Sequence, residues 1–197
     1  VVLIFGWAFG ATLQPAGYSP MLDSISALAA EGAADPWVMT GALCVLGVCH
    51  FATAIGLRAA AMPGRVVLAC GGVASVVVAL SPEPEGGTSL RHLVSTGIGF
   101  TLLALFPTLA AVRSTRTWAL RQSTGIVVTA LMAAGAAWFL VELHGHGIAG
   151  LAERILTAVQ SLWPLVIVVA CVVTRFDPLP AHRLRVPAAS VRRTGDG

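Results

Sequence analysis

The chain is 197 residues long, 56% hydrophobic and only 11% charged, with a formal net charge of +3 and a mean hydropathy of +0.84. An ordinary soluble domain carries about 25% charged residues, so this composition excludes a water-soluble globule; it excludes a disordered chain too, since disorder needs high charge and few apolar residues. Four cysteines are too few for a disulfide-stapled secreted module, and the class left is all-α, a polytopic transmembrane helix bundle.

A helix that crosses a hydrocarbon core of about 30 Å needs about 20 mostly apolar residues. Val1 to Leu13 is apolar but too short, and reads as the outer part of a first helix whose beginning is absent from the chain. A signal peptide would want a basic start and a small-residue cleavage site, and neither is clear, so six helices are expected with the first truncated. The connection Gln14 to Ala34 is long. Ser19-Pro20 has the chemistry of a cap and first helical residue, Met21, Ile25 and Leu28 recur at helical spacing, and Gly32 suits a stop. This predicts a short interfacial amphipathic helix, with Asp23, Ser24 and Ala27 on its polar side and Ser26 and Glu31 near the edge.

The second helix is expected from Pro36 to Leu57, capped by Asp35, and the third from Val66 to Leu80. That third span is short enough to thin the bilayer locally or stand nearly upright. The fourth is expected from Leu93 to Val112 with a kink at Pro107. The fifth follows from Gln122 to Val141, and the sixth from Ile155 to Thr174 around Trp163-Pro164. The small-residue pairs Ser95 and Gly99, Ala130 and Ala134, and Ala133 and Ala137 suit close helix approach. Residues 1–175 therefore form the bundle, and 176–197, with prolines among arginines, form a flexible basic cytoplasmic tail.

Charge sets the orientation. Arg58, Arg65, Arg113, Arg116, Arg121, Arg175, Arg183, Arg185, Arg192 and Arg193 fall on one side, against Arg91 and Arg154 on the other. By the positive-inside rule the arginine-rich side is cytoplasmic, which places both termini inside a multi-pass protein of the cell (plasma) membrane. Asp23, Glu31, Asp35, Glu83, Glu85, Glu142 and Glu153 sort to the outer side. The basic balance describes topology and contact with anionic lipid heads, and it is no nucleic-acid footprint.

The run Gly17-Tyr18-Ser19-Pro20-Met21-Leu22-Asp23-Ser24-Ile25-Ser26-Ala27-Leu28, followed by a helix with Gly41 and Gly47, resembles the opening of the bacterial and archaeal membrane proteins grouped as domain of unknown function 998. Gly150-Leu151-Ala152-Glu153-Arg154-Ile155 followed by Trp163 is similar to that family's end. The resemblance runs from about Phe5 to Thr174, and Asp23 to Leu28 is its most specific part. It implies a six-helix polytopic protein and supplies no activity.

Ionisable groups inside a membrane are expensive and mark candidate sites. His50 is the clear intramembrane case, about 20 Å below the outer helix end; its readings are a neutral histidine hydrogen-bonded to a neighbouring helix and a proton-relay or ligand role. Haem ligation needs two imidazoles at one depth, and His50 has no such partner, so no cofactor is expected. The outer face is richer. Asp23 and Ser24 come from the first connection, Arg91 and His92 from the start of the fourth helix, Glu142, His144 and His146 from the end of the fifth, and Glu153 and Arg154 from the start of the sixth.

Histidine and carboxylate are zinc ligands, so Asp23, His92, His144 and His146 are metal candidates. The spacing argues against a site, because the glycines around His146 mark a loop and no His-Glu-x-x-His occurs. Ser24 lacks a nucleophile elbow, and capping suits it better. Arg91 and Arg154 either sit in an ion-pair rim or bind a phosphate or carboxylate head group. The four cysteines fall within spans as small packing residues.

Three functions fit these residues. The first is a non-enzymatic membrane component whose outer-face polar rim recognises a lipid head group or a partner protein, a second copy of itself included. An outer-face metal-dependent lipid hydrolase or transferase is the second, and a small transporter or permease the third.

Overall fold

The computed structural model describes residues 1–84, 87 and 89–176, the last without its side chain. Among these the regular structure is entirely helical: α1 (Val2–Leu13), α2 (Trp37–Gly56), α3 (Met62–Ala79), α4 (Leu90–Leu109), α5 (Gln122–Gly145) and α6 (Ala149–Phe176), with single 3-10 turns at Ser26–Ala29 and Trp118–Leu120. Five of the six, α2 to α6, are long and apolar enough to cross a membrane, and α1 is a shorter apolar helix. Large side chains such as Phe5, Val48, Val73, Ile98, Leu131 and Val173 stay exposed, as the flank of a lipid-facing bundle requires. Helices neighbouring in sequence pack side by side, and α6 also reaches α1, α2 and α4.

Several boundaries differ from the sequence expectation, each for a local reason. α3 starts at Met62, with Pro63 in its first turn, ahead of the expected Val66; its 18 residues reach about 27 Å, and it is still the shortest of the five spans. Arg65 lies inside it because the guanidinium reaches back to α2, where Nε donates to the Ala54 carbonyl at 2.8 Å and Nη2 to that of Ile55 at 2.9 Å. The basic residue thus satisfies two carbonyls of the preceding helix end instead of ending the next one. Asp35 does not cap α2. It sits at φ 51°, and its carboxylate accepts from the Trp37 indole N–H at 3.0 Å. α5 and α6 each run past their expected ends, and α6 continues through Pro164 and extends the bundle one residue beyond 175. The tail over 177–197 lies outside the described residues.

Close packing falls on glycines rather than on the α5 alanines. Ala130, Ala133, Ala134 and Ala137 are exposed, whereas Ser95 and Gly99 are buried. At the α2–α3 crossing a Cβ on Gly47 would stand 2.5 Å from the Gly72 carbonyl oxygen, and one on Gly72 would stand 2.6 Å from that of Gly47. The two backbones touch, which no larger residue permits.

The connections sort to two ends. At the loop end the first connection meets residues 80–84 and the start of α6: the Glu31 N–H donates to the Glu83 carbonyl, and those of Gly150 and Leu151 donate to the Leu22 and Met21 carbonyls. At the arginine end, Ala61 donates to Ala110 and Val112 to Leu120. Gln14 closes the first connection at its base, donating to the Gly10 and Ala34 carbonyls and accepting from the Ala34 N–H. Residues 14–34 therefore form a loop folded over the bundle.

Candidate functional site

The first connection holds one 3-10 turn, Ser26–Ala29, instead of an amphipathic helix beginning at Ser19. Its capping side chains are used in tight turns: the Asp23 carboxylate accepts from the Ser19 N–H at 2.7 Å, and Ser24 Oγ from the Ala27 N–H at 3.1 Å. Ile25, Leu28 and Ala29 are buried against α1 and α2, while Met21 and Leu22 are exposed. The segment packs into the bundle end through Ile25, Leu28 and Ala29.

Two side chains of α6 hold this plug. Arg154 Nη1 donates to the carbonyls of Pro20, Asp23 and Gly150 at 2.7, 2.8 and 2.9 Å, and Nη2 donates to the Tyr18 hydroxyl. The planar fork of five donors suits such a set of acceptors. Glu153 is 3% exposed, and its Oε2 accepts the Ile25 N–H at 2.6 Å. Burial pushes the Tyr18 phenol above its ordinary range, although the Arg154 guanidinium beside it pulls the other way.

The third fastening is His92. Its ring is buried, with Nδ1 2.8 Å from the Ser81 carbonyl oxygen and Nε2 2.9 Å from Ser26 Oγ. A carbonyl only accepts, so the hydrogen-bond pattern assigns the proton to Nδ1 and leaves a lone pair on Nε2 facing the serine hydroxyl. Glu83 Oε1 lies 3.8 Å from the same Nε2. Beside Ser26, His92 and Glu153 lies a partly open cavity of about 70 Å³, lined by α1, α2, α3, α4 and α6 and by the connections that carry Ser26 and Pro82. Its wall is mostly apolar, with Leu3, Leu43, Leu46 and Phe100, and its depth adds the polar side chains of Ser75, Thr96, Gln160 and Ser161. Thr96 Oγ1 and Gln160 Oε1 are buried without a hydrogen-bond partner among the described residues.

Of the residues singled out from sequence, Asp23, Ser24, His92, Glu153 and Arg154 belong to this plug and its anchors. Arg91 is exposed on the first turn of α4. Glu142, His144 and His146 stand apart at the α5–α6 turn. There Glu142 accepts from the Trp138 indole at 3.0 Å and the Ile148 N–H at 2.9 Å, and His144 Nδ1 meets the Leu140 carbonyl at 2.7 Å. His146 is exposed, in the left-handed conformation that ends α5. Among the described residues no three His, Cys, Asp or Glu side chains converge on a metal-sized centre, so Asp23, His92, His144 and His146 are not one ligand set. His50 is 3% exposed at the α2–α3 crossing beside Gly72, and neither ring nitrogen has a partner among the described residues.

The residue missed as a partner is Ser26, read only as edge-facing. It stands 66 positions from His92, and no local spacing links residues that far apart. The signal that existed was the Asp23–Leu28 run, whose two serines flank a buried isoleucine.

Apolar helices around a pocketed end define a multi-pass helical membrane protein. The chain belongs to the family described as protein of unknown function (DUF998), whose model matches residues 1–170. No curated protein and no solved structure matches it.

Proposed function

We propose that this protein is a binding component of the cell membrane, with its loop end toward the exterior and its arginine end in the cytoplasm, and that it takes the polar end of an amphipathic lipid from the outer leaflet. The observation that carries the reading is the cavity itself. An apolar wall with a few convergent hydrogen-bonding groups is the usual make-up of a small-molecule site, and unpartnered Thr96 and Gln160 oxygens in it are buried groups that await a donor or acceptor. Orientation rests on Arg58, Arg113, Arg116, Arg121 and Arg175 at the arginine end, against Arg91 and Arg154 at the other. Head-group recognition falls to Ser26, His92 and the cavity, because Arg154 is already engaged by three carbonyls and Tyr18.

The cavity of about 70 Å³ has room for a few waters or an ester-sized group; a larger head group enters as the Ile25–Ala29 plug moves outward. Mass spectrometry of lipid retained by protein purified in a mild detergent tests this. Thr96→Leu fills the cavity and removes a hydroxyl, and is expected to lower retained lipid about tenfold, equivalent to about 1.4 kcal/mol. Equal retention by both proteins contradicts the reading.

A further inference from the structure

Within that binding reading, on which this step rests, we propose that the Ser26–His92 pair is a nucleophile and its general base, and that the site transfers acyl groups from carboxylic esters of the outer leaflet. Four observations meet in one place. Ser26 Oγ stands 2.9 Å from His92 Nε2, within the reach a base needs to take a hydroxyl proton. The other ring nitrogen is fixed at 2.8 Å to the Ser81 carbonyl, which holds the tautomer whose lone pair faces the serine, the orienting role of the third member in a triad. The Glu83 carboxylate at 3.8 Å stabilises the imidazolium that forms when the proton arrives. Thr96, one turn along α4 from His92, lines the same cavity with its hydroxyl unpartnered, a donor for the oxyanion of a tetrahedral intermediate.

The chemistry balances without a metal or a redox partner. Ser26 Oγ bonds to the ester carbonyl carbon as its proton passes to His92 Nε2. The tetrahedral intermediate collapses, the bond from carbon to the alkoxy oxygen breaks, and the leaving alcohol takes the proton from His92. Water, or a second alcohol, then attacks the acyl-serine with the same histidine as base. This releases the acid or a new ester and restores the Ser26 hydroxyl. A purely structural Ser26–His92 hydrogen bond joins the first connection to α4 in the same way but gives the serine no added reactivity.

The test is covalent labelling of the full-length chain in lipid nanodiscs with a fluorophosphonate probe, read by peptide mass spectrometry. The site of labelling is expected at Ser26. Substitution His92→Asn keeps a donor for the Ser81 carbonyl but no base for Oγ, and is expected to slow labelling about 100-fold. Ser26→Cys supplies a second readout that does not depend on the serine probe: its alkylation by a chloroacetamide is expected to slow about tenfold when His92→Asn is added. Labelling elsewhere, or at a rate indifferent to His92, overturns acyl transfer. If lipid is still retained in the same preparation, the binding reading stands without it; loss of both labelling and Thr96-dependent retention overturns the two together.

Discussion

Arg154 is the residue on which the loop end turns. Its fork satisfies three carbonyls and a phenol at the half-buried seam between the first connection and α6. Lysine has a point charge and no planar fork. Arg154→Lys is therefore expected to cost about 1–3 kcal/mol and to expose the Tyr18–Ala34 segment to protease, measured by denaturant unfolding in detergent and by limited proteolysis; an unchanged midpoint and cleavage pattern would contradict it. Tyr18 adds a pH dependence. Its folded pKa is raised, chiefly by burial, so the unfolded chain loses the phenolic proton first. The phenol's contribution is complete below the unfolded pKa and is lost as pH rises through the folded one. Stability of the wild type should fall more steeply above about pH 10 than that of Tyr18→Phe, as compared by thermal melts across pH 8–11. Residues at this scale were only half legible in the sequence. Asp23, His92, Glu153 and Arg154 were found because ionisable groups near a membrane stand out. Ser26 was not, because a serine matters only through the histidine that folding brings to it.

At the scale of the element, hydropathy marks the spans well and their ends badly. A span ends in sequence where a charge or turn residue occurs, yet Arg65 sits inside α3 because its side chain is long enough to serve the end of α2. The 14–34 connection shows the reverse error: helical spacing of Met21, Ile25 and Leu28 suggests a helix, but Asp23 and Ser24 bond their own backbone and favour turns. Packing stripes were likewise misassigned to α5, where alanines face outward, and missed at Gly47 and Gly72, where the backbones meet. Gly72→Ala puts a methyl 2.6 Å from a carbonyl oxygen, and is expected to destabilise by about 1–3 kcal/mol. Gly41→Ala, whose added methyl meets nothing within 4 Å, is expected to be neutral or to stabilise by up to about 1 kcal/mol. Equal melting temperatures for the two variants would contradict the crossing.

The whole molecule has two chemically different ends joined by an apolar shaft. At one end Arg65 ties the end of α2 to α3 in a region rich in arginine; at the other a folded-back loop covers a cavity with a serine, a histidine and a buried carboxylate. Composition alone established the shaft. The arginine tally established which connections share a side, because topology alternates and charge does not cross the bilayer cheaply. What lay beyond both was the depth to which the first connection enters the bundle, since that depends on Glu153 and Arg154 meeting backbone more than 120 residues earlier. The account stands or falls on the Ser26–His92 end facing the cell exterior. Impermeant thiol labelling of intact cells tests this most directly, with single cysteines at Gly87 and Thr115 in a background free of the four native ones. The account predicts that Gly87→Cys is labelled from outside and Thr115→Cys only after the cells are opened; the opposite pattern would contradict it.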